Sequence, residues 1–276
     1  MLQEANYLMI KEIFAPGYDR DDEGRVLFPR TDTDLRNLYF TYTDSTVHVA
    51  KCNGHMILEL VKYVSEPGET VLDPFGGTGT ILLATTLGRK VIAIELEEIF
   101  QKTIELNIQA LGKDIPDIDD KAMLIPGDVM QVLPLYGIAD HAMFSPPWAN
   151  VLRKKAVDQF TIDAGYGAAT NYTESPENIG NLSDFLYHQV MERFYKKMFE
   201  TIKPGGTMTI IIKDRIEKGK RIYQGKRAER DCIKIGFEPV AWNKWYAIGG
   251  GFAAYNRSIG LETVDEEDLI TLRRPQ

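Results

Sequence analysis

Apolar positions along this chain change their period several times. From 53 to 65, NGHMILELVKYVS, they recur at helical spacing, and Asn53 stands where a helix N-cap belongs. PGE then turns the chain into TVLDPF (70–75), a short run suited to a buried strand. GGTGT follows, and ILLATTLG predicts a helix that stops at Gly88. VIAIEL (91–96) predicts a second strand and EEIFQKTIELNIQAL a second helix. AMLIPGD (122–128) and HAMF (141–144) read as further strands. LSDFLYHQVMERFYKKMFETI reads as an amphipathic helix ended by KPGG, and TMTIIIK (207–213) as another strand. EPVAWNKWYAI and LITLRR predict late strands. Residues 1–45 carry no sustained period and read as an N-terminal extension, and 149–183 read as an irregular insertion.

Strands that alternate with helices imply an α/β fold with a mainly parallel sheet covered on both faces. Ligands of such sheets sit beyond the carboxyl ends of the strands. DPFGGTGT (73–80) and SPPW (145–148) both fall there.

Composition narrows the setting. The chain has 276 residues, 44% hydrophobic and 26% charged, with no repeat or low-complexity tract. Its longest apolar runs are six or seven residues, too short for a membrane span, and no signal-peptide pattern opens it. Cys52 and Cys232 are its two cysteines, which argues against a disulfide framework and for a reducing cytoplasm. The net charge of -8 excludes a general polyanion binder. Residues 213–230, however, gather eight Lys or Arg against three acids, a local stripe able to meet a phosphate backbone.

The glycine turn admits several ligands. A nucleotide P-loop fits poorly, because no Gly-Lys-Ser/Thr follows. A dinucleotide fingerprint is imperfect: Gly77 and Gly79 fit, but Leu82 takes the third glycine position. Glu95 ends the second strand, where a carboxylate accepts from both ribose hydroxyls. Taken together, DPFGGTGT, IAIEL and SPPW resemble the signature set of DNA amino-methyltransferases, which methylate the exocyclic nitrogen of cytosine or adenine. The resemblance spans roughly residues 46 to 213. It implies a Rossmann-like class I methyltransferase domain over 46–276, a seven-stranded, mostly parallel sheet whose last strand is antiparallel, and S-adenosylmethionine as cofactor. By position it assigns Asp73, Phe75, Gly76, Gly77, Gly79 and Thr80 to the loop around the methionine moiety. It assigns Glu95 to the ribose and Asp128 to the adenine amino group. VHVAKCNGH (47–55) is similar to the segment before the glycine loop in this family, which puts Lys51 near the methionine end.

Within that resemblance each residue of SPPW has a task. An exocyclic amino group is a poor nucleophile, because its lone pair is delocalised into the ring. The Ser145 hydroxyl and the Pro146 carbonyl can accept from its two hydrogens, drawing the nitrogen toward a tetrahedral form. Pro146 and Pro147 hold those acceptors in place beforehand. Trp148 stacks on a target base that has left the duplex. Carbon-5 methylation of cytosine would need a cysteine nucleophile after proline, and neither AKCNG nor RDCIK supplies one.

The serine at the head of SPPW is more like the N4-cytosine group than the N6-adenine group. Adenine N6 in DNA is therefore the alternative, followed by RNA methylation at guanine N2 or adenine N6, and then by an inactive nucleic-acid-binding partner. Double-stranded DNA is the expected partner, with a cognate restriction enzyme or specificity subunit as a possible companion. Lys213, Lys218, Lys220, Arg221, Lys226 and Arg227 are the candidate phosphate contacts. The insertion is placed to cover the base pocket or reach into a groove. His48, Cys52 and His55 lack a second ligand pair, so no metal is expected.

Overall fold

The computed structural model describes residues 19–27, 33–40, 52–147, 177–217, 219–246 and 257–276. A short helix α1 (Thr33–Tyr39) precedes α2 (Gly54–Val64). Asn53 is the N-cap of α2, its side chain accepting the Met56 N–H at 3.0 Å. The face carrying Met56, Ile57, Leu60, Val61 and Val64 is buried, the i, i+4 stripe expected from sequence. Strand β1 (Thr70–Asp73) leads into the glycine turn. The next segment, Thr80–Leu87, is a 3-10 helix held between left-handed Gly79 and Gly88. The helix and its stop were anticipated; its tighter winding was not.

The chain continues with β2 (Lys90–Glu95), α3 (Glu98–Leu111), β3 (Ala122–Pro126), α4 (Val129–Val132) and β4 (Ala139–Phe144). Beyond the insertion come α5 (Asp184–Thr201) and β5 (Ile202–Ile212). The helix ends just before KPGG, as read from sequence, and KPGG itself is strand. Helix α5 passes into β5 without a loop, and the β4–β5 register shifts at that point. Gly206 permits this close approach, since a Cβ there would run into the Asp140 carbonyl.

The basic segment forms a hairpin, β6 (Arg215–Glu217) and β7 (Lys220–Ile222), and then α6 (Gln224–Ile235). Strands β8 (Glu238–Tyr246) and β9 (Glu266–Arg273) complete the chain. The main sheet has seven strands in the order β3-β2-β1-β4-β5-β9-β8. Pairing is parallel from β3 to β5, and β9 runs antiparallel to both β5 and β8. This is a Rossmann-like topology with the last strand reversed, as the resemblance implies.

Alternate residues of each central strand serve two cores. Val71, Val91, Ala93, Met143 and Ile211 pack on the α2 and α3 side. Leu72, Ile92, Ile94, Phe144 and Ile210 pack on the α5 and α6 side. Strands buried on both faces give the near-continuous apolar runs seen in sequence. The aperiodic N-terminal region also contributes to the core: Val26 and Phe40 join the first cluster, and Lys244 N–H donates to the Val26 carbonyl. Among the described residues no helix is long and apolar enough to cross a membrane.

Candidate active site

The carboxyl ends of β1, β2 and β4 open into one cleft of about 1020 Å³, counting its mouth. Asp73, Phe75, Gly76, Gly77, Thr80, Glu95 and Asp128 line it, and so do Ser145, Pro146 and Pro147. The two motifs, 65 or more positions apart in sequence, thus share walls of one cavity. Trp148, Lys51, Lys218 and the insertion from 149 to 176 lie outside the described residues.

The turn after β1 is shaped by its glycines. Gly76 N–H donates to the Ile94 carbonyl at 2.8 Å, tying the loop to β2. A Cβ on Gly76 would meet Ile104 Cδ1 at 3.0 Å and the Ile94 carbonyl at 3.3 Å, so a side chain there would press on both. Gly77 and Gly79 have φ of +53° and +80°, where L side chains are strained. Gly79 itself packs against Leu82 and Ile104, behind the lining. Phe75 anchors the outer edge in an aromatic cluster, 4.9 Å from Phe194 and 5.7 Å from Phe144 between ring centres.

Glu95 binds the turn together. Its Oε2 accepts the Gly77 N–H at 2.6 Å and its Oε1 the Glu97 N–H at 2.7 Å. Burial pushes its carboxyl up to about 7, against the pull of those donors, and Glu97 adds a further upward push. Asp73 is likewise raised to about 7, chiefly by burial, with the Phe75 N–H opposing and Glu95 adding. Asp128 caps α4, accepting the Met130 N–H at 2.9 Å.

Four residues that the sequence reading passed over hold this arrangement. Glu97 and Asn178, both buried, line the cleft and meet at 2.9 Å, the Asn178 Nδ2 donating to Glu97 Oε1. Asn107 Nδ2 donates to the Thr78 carbonyl at 3.0 Å. Arg36, buried near the start of the chain, donates to Thr80 Oγ1 at 3.1 Å and to the Cys52 carbonyl at 2.5 Å. ELEE and NIGN show Glu97 and Asn178 in sequence, but only the fold brings them together.

The basic segment is less uniform than its composition suggests. Arg221 is engaged inside the protein: its Nε meets Asp214 Oδ2 at 2.8 Å and its NH2 meets Glu266 Oε1 at 2.9 Å. These carboxylates push its pKa upward against desolvation. Lys220 is exposed on the hairpin. Lys226 lies over the Tyr223 ring at 5.0 Å, and Arg227 is exposed, 3.8 Å from Asp231. Lys213 is half-buried at the end of β5, facing the charge of Glu267. Among the described residues no group of three side chains is placed to hold a metal ion.

Residues 17–106 match the family model described as DNA methylase, of the N6/N4 type. The matched segment contains α1, α2, the glycine turn, Glu95 and Glu97, while Asp128 and SPPW lie beyond it. A Methanoculleus marisnigri protein named as an HTH-type transcriptional regulator is 33% identical over 101 residues, 37% of this chain. The match spans 31% of that relative's length.

Solved structures share the fold over most of the chain. The [4+2]-cyclase SpnF aligns over 86% of both chains at 13% identity, with a TM-score of 0.52. A Galdieria sulphuraria structure titled as a sarcosine dimethylglycine methyltransferase aligns over 80% of this chain and 85% of its own, at 11% identity and a TM-score of 0.50. Geranyl diphosphate methyltransferase does so over 80% and 77%, at 13% identity and a TM-score of 0.50. One fold thus carries cyclase and methyltransferase chemistry, and the likeness is one of fold.

The cleft fits S-adenosylmethionine. Its described lining holds five acidic residues, Asp73, Glu95, Glu97, Asp128 and Glu177, and no Lys, Arg or His. Such a lining suits a ligand of net positive charge. Glu95 retains acceptor capacity for a diol beyond the two N–H groups it already binds.

Proposed function

We propose that this chain is an S-adenosylmethionine-dependent methyltransferase that modifies the exocyclic amino group of a base in DNA, and that the base is cytosine, at N4. The observation that carries the reading is the shared cleft. Ser145 and Pro146 stand in the same cavity as the glycine turn and Glu95, so an amino group and a cofactor can meet there. When bound, S-adenosylmethionine supplies a methyl group on a cationic sulfur.

The protein's own part is to hold and orient. The glycine turn and Glu95 hold the cofactor's adenosine and methionine portions, and Asp128 receives the adenine amino group. Ser145 Oγ and the Pro146 carbonyl accept hydrogen bonds from the target amine and turn its lone pair outward. The paired prolines keep these acceptors fixed before the base arrives. Trp148, next in sequence, supplies the stacking face. Serine at the head of the motif supports cytosine over adenine. On the nucleic-acid side, Lys220, Lys226 and Arg227 are the proposed phosphate contacts, with Lys213 and Lys218 as further candidates. Arg221 is proposed instead as an internal strut of the hairpin, given its two carboxylate partners.

The test is nucleoside mass spectrometry after incubating the full chain with S-adenosylmethionine and unmodified DNA, with total RNA in parallel. N4-methylcytosine in DNA is the expected product. N6-methyladenine in DNA would keep the mechanism and correct the base. Methylation confined to RNA would overturn the DNA assignment. Absence of product with no cofactor binding would favour a nucleic-acid-binding role without catalysis.

A further inference from the structure

Arg36 reaches from α1 to two separate stretches of the cleft wall. Its NH2 nitrogen donates to Thr80 Oγ1 at 3.1 Å and to the Cys52 carbonyl at 2.5 Å. Thr80 opens the helix after the glycine turn, and Cys52 stands just before α2. Both line the cleft. Arg36 is 8% exposed and lies behind the lining, so it acts on the site through the groups it touches.

This contact decides what the Thr80 hydroxyl can do. A hydroxyl has one hydrogen to give and two lone pairs to offer. A guanidinium only donates, so it occupies a lone pair of Oγ1 and leaves the hydrogen for another acceptor. Thr85 and Thr86 of the same helix donate back to the Leu82 and Leu83 carbonyls, each at 2.7 Å. Among the described residues Thr80 has no such acceptor. A hydrogen bond received from a guanidinium also polarises the O–H and strengthens it as a donor. Thr80 is therefore a fixed donor in a lining rich in carboxylates.

Its place along the cleft narrows the ligand group. In the sheet order β3-β2-β1-β4, Asp128, Glu95, the glycine turn and Ser145 follow one another. A cofactor with its adenine at Asp128 and its diol at Glu95 has its methionine portion over β1, short of Ser145. That portion carries an ammonium, which donates, and a carboxylate, which accepts. We propose that Arg36 is a positioning residue of the cofactor site, aiming the Thr80 hydroxyl at the carboxylate of S-adenosylmethionine. This rests on the methyltransferase reading above. The acidic lining repels a carboxylate, so a donor held in place beforehand matters more here than in a neutral cleft.

The experiment is isothermal titration of the full chain with S-adenosylmethionine and with its decarboxylated form, which keeps the adenosine, the sulfonium and the amine. Wild type is compared with Thr80→Val, Thr80→Ser, Arg36→Met and the double variant Arg36→Met, Thr80→Val. Thermal melts fix a temperature at which each is folded, and Arg36→Gln replaces Arg36→Met if the latter melts too low. Thr80→Val and Arg36→Met are each expected to weaken S-adenosylmethionine by about tenfold and the decarboxylated form by less than about twofold. Thr80→Ser, which keeps the hydroxyl, holds the ratio of the two affinities within about twofold of wild type. The double variant loses little more than the worse single one, because both changes remove the same interaction. Equal weakening of both ligands by Thr80→Val, or no weakening of either, overturns the proposal. So does a double variant whose losses multiply, since Arg36 would then act apart from Thr80. If wild type binds neither ligand, the methyltransferase reading fails instead, which is a separate result.

Discussion

The two halves of the sheet hold their functional groups in different ways. Over β1 and β2 the cleft is made by backbone: glycines at positive φ, a loop stitched to β2 by Gly76, and a carboxylate that grips two N–H groups. Over β4 it is lined by a short rigid motif, while the hairpin and helix that follow β5 carry charges partly paired among themselves. The first half is held by backbone contacts, and the second is where the proposed nucleic-acid contacts lie. A variant in the first half should therefore disturb cofactor binding and folding together. One in the second should separate catalysis, stability and nucleic-acid affinity from each other.

The largest separation is expected at Ser145. Ser145→Ala removes the proposed acceptor for the target amine and nothing from the glycine turn. We expect kcat to fall by about 10²- to 10³-fold, with the cofactor Kd within about twofold of wild type. Steady-state kinetics beside calorimetry reads both numbers. A matched loss of cofactor affinity would erase the distinction between the halves.

Glu95→Ala should do the reverse. It strands the Gly77 and Glu97 N–H groups as well as removing the diol acceptor. Cofactor affinity is expected to drop by about 30-fold or more, with a lower melting temperature, as two unpaired donors imply. If the melting temperature holds and only affinity falls, the glycine turn does not depend on this carboxylate for its shape.

Arg221 sharpens the contrast in the second half. Its removal leaves Asp214, whose side chain is 3% exposed, without its cationic partner. Gln224 N–H still donates to Asp214, so the loss should stop at about 2 kcal/mol in denaturant unfolding. DNA affinity at fixed salt should hardly move. Weaker DNA binding with unchanged unfolding would return Arg221 to the phosphate contacts.

How far the sequence reached follows the same division. The placement of DPFGGTGT, Glu95, Asp128 and the SPP of SPPW at strand ends was legible because strand ends and glycine turns leave a local signature, and Asp73, Glu95, Asp128 and Ser145 to Pro147 line one cleft. Helix α6 was not legible. Its buried face is Gln224, Gly225, Ala228 and Cys232, small or polar residues with no apolar stripe, set among exposed cations. The pairing of Arg221 with Glu266 was equally hidden, since it joins residues 45 positions apart. Val26 and Phe40 reach the core from segments without a period, and isolated apolar residues give no periodic signal. The 3-10 winding of Thr80–Leu87 depends on the glycine stops at both ends acting with close packing, which a helical pattern alone does not disclose.

A subtler test uses pH. Asp73 and Glu95 sit near 7 when the cleft holds no ligand. A cationic cofactor with a diol favours their ionised forms, so affinity should rise with pH through about 7 and level off above it. The slope is at most about tenfold per pH unit for each group. For folding the sign is opposite. Both carboxyls are raised above their ordinary values of 3.8 and 4.5, so the stability they contribute is intact below those values. It is lost as pH climbs through about 7. The thermal shift caused by the cofactor should therefore widen between pH 5 and 8, a range of about one unit or two either side of these groups. Calorimetry in buffers of differing ionisation heat should show proton release near neutrality. Proton uptake would contradict the assignment of these groups to a cationic ligand.

The smallest expected effect concerns Lys226 and Arg227, and it tests the second half on its own terms. Both are exposed on α6, beside the half-exposed ring of Tyr223. Neither carries an internal load comparable to that of Arg221. The Arg227–Asp231 contact is long, at 3.8 Å, and its surface setting makes it worth less than about 1 kcal/mol. The double variant Lys226→Ala, Arg227→Ala should thus unfold almost as wild type does. If both side chains neutralise phosphates, the slope of log affinity for DNA against log salt should flatten by about 1.8, near 0.9 for each contact. The loss should be similar across DNA sequences, because phosphate contacts position the protein without reading bases. An unaltered slope would remove α6 from the nucleic-acid surface and leave Lys213, Lys218 and Lys220, nearer the end of β5, to carry the backbone contact.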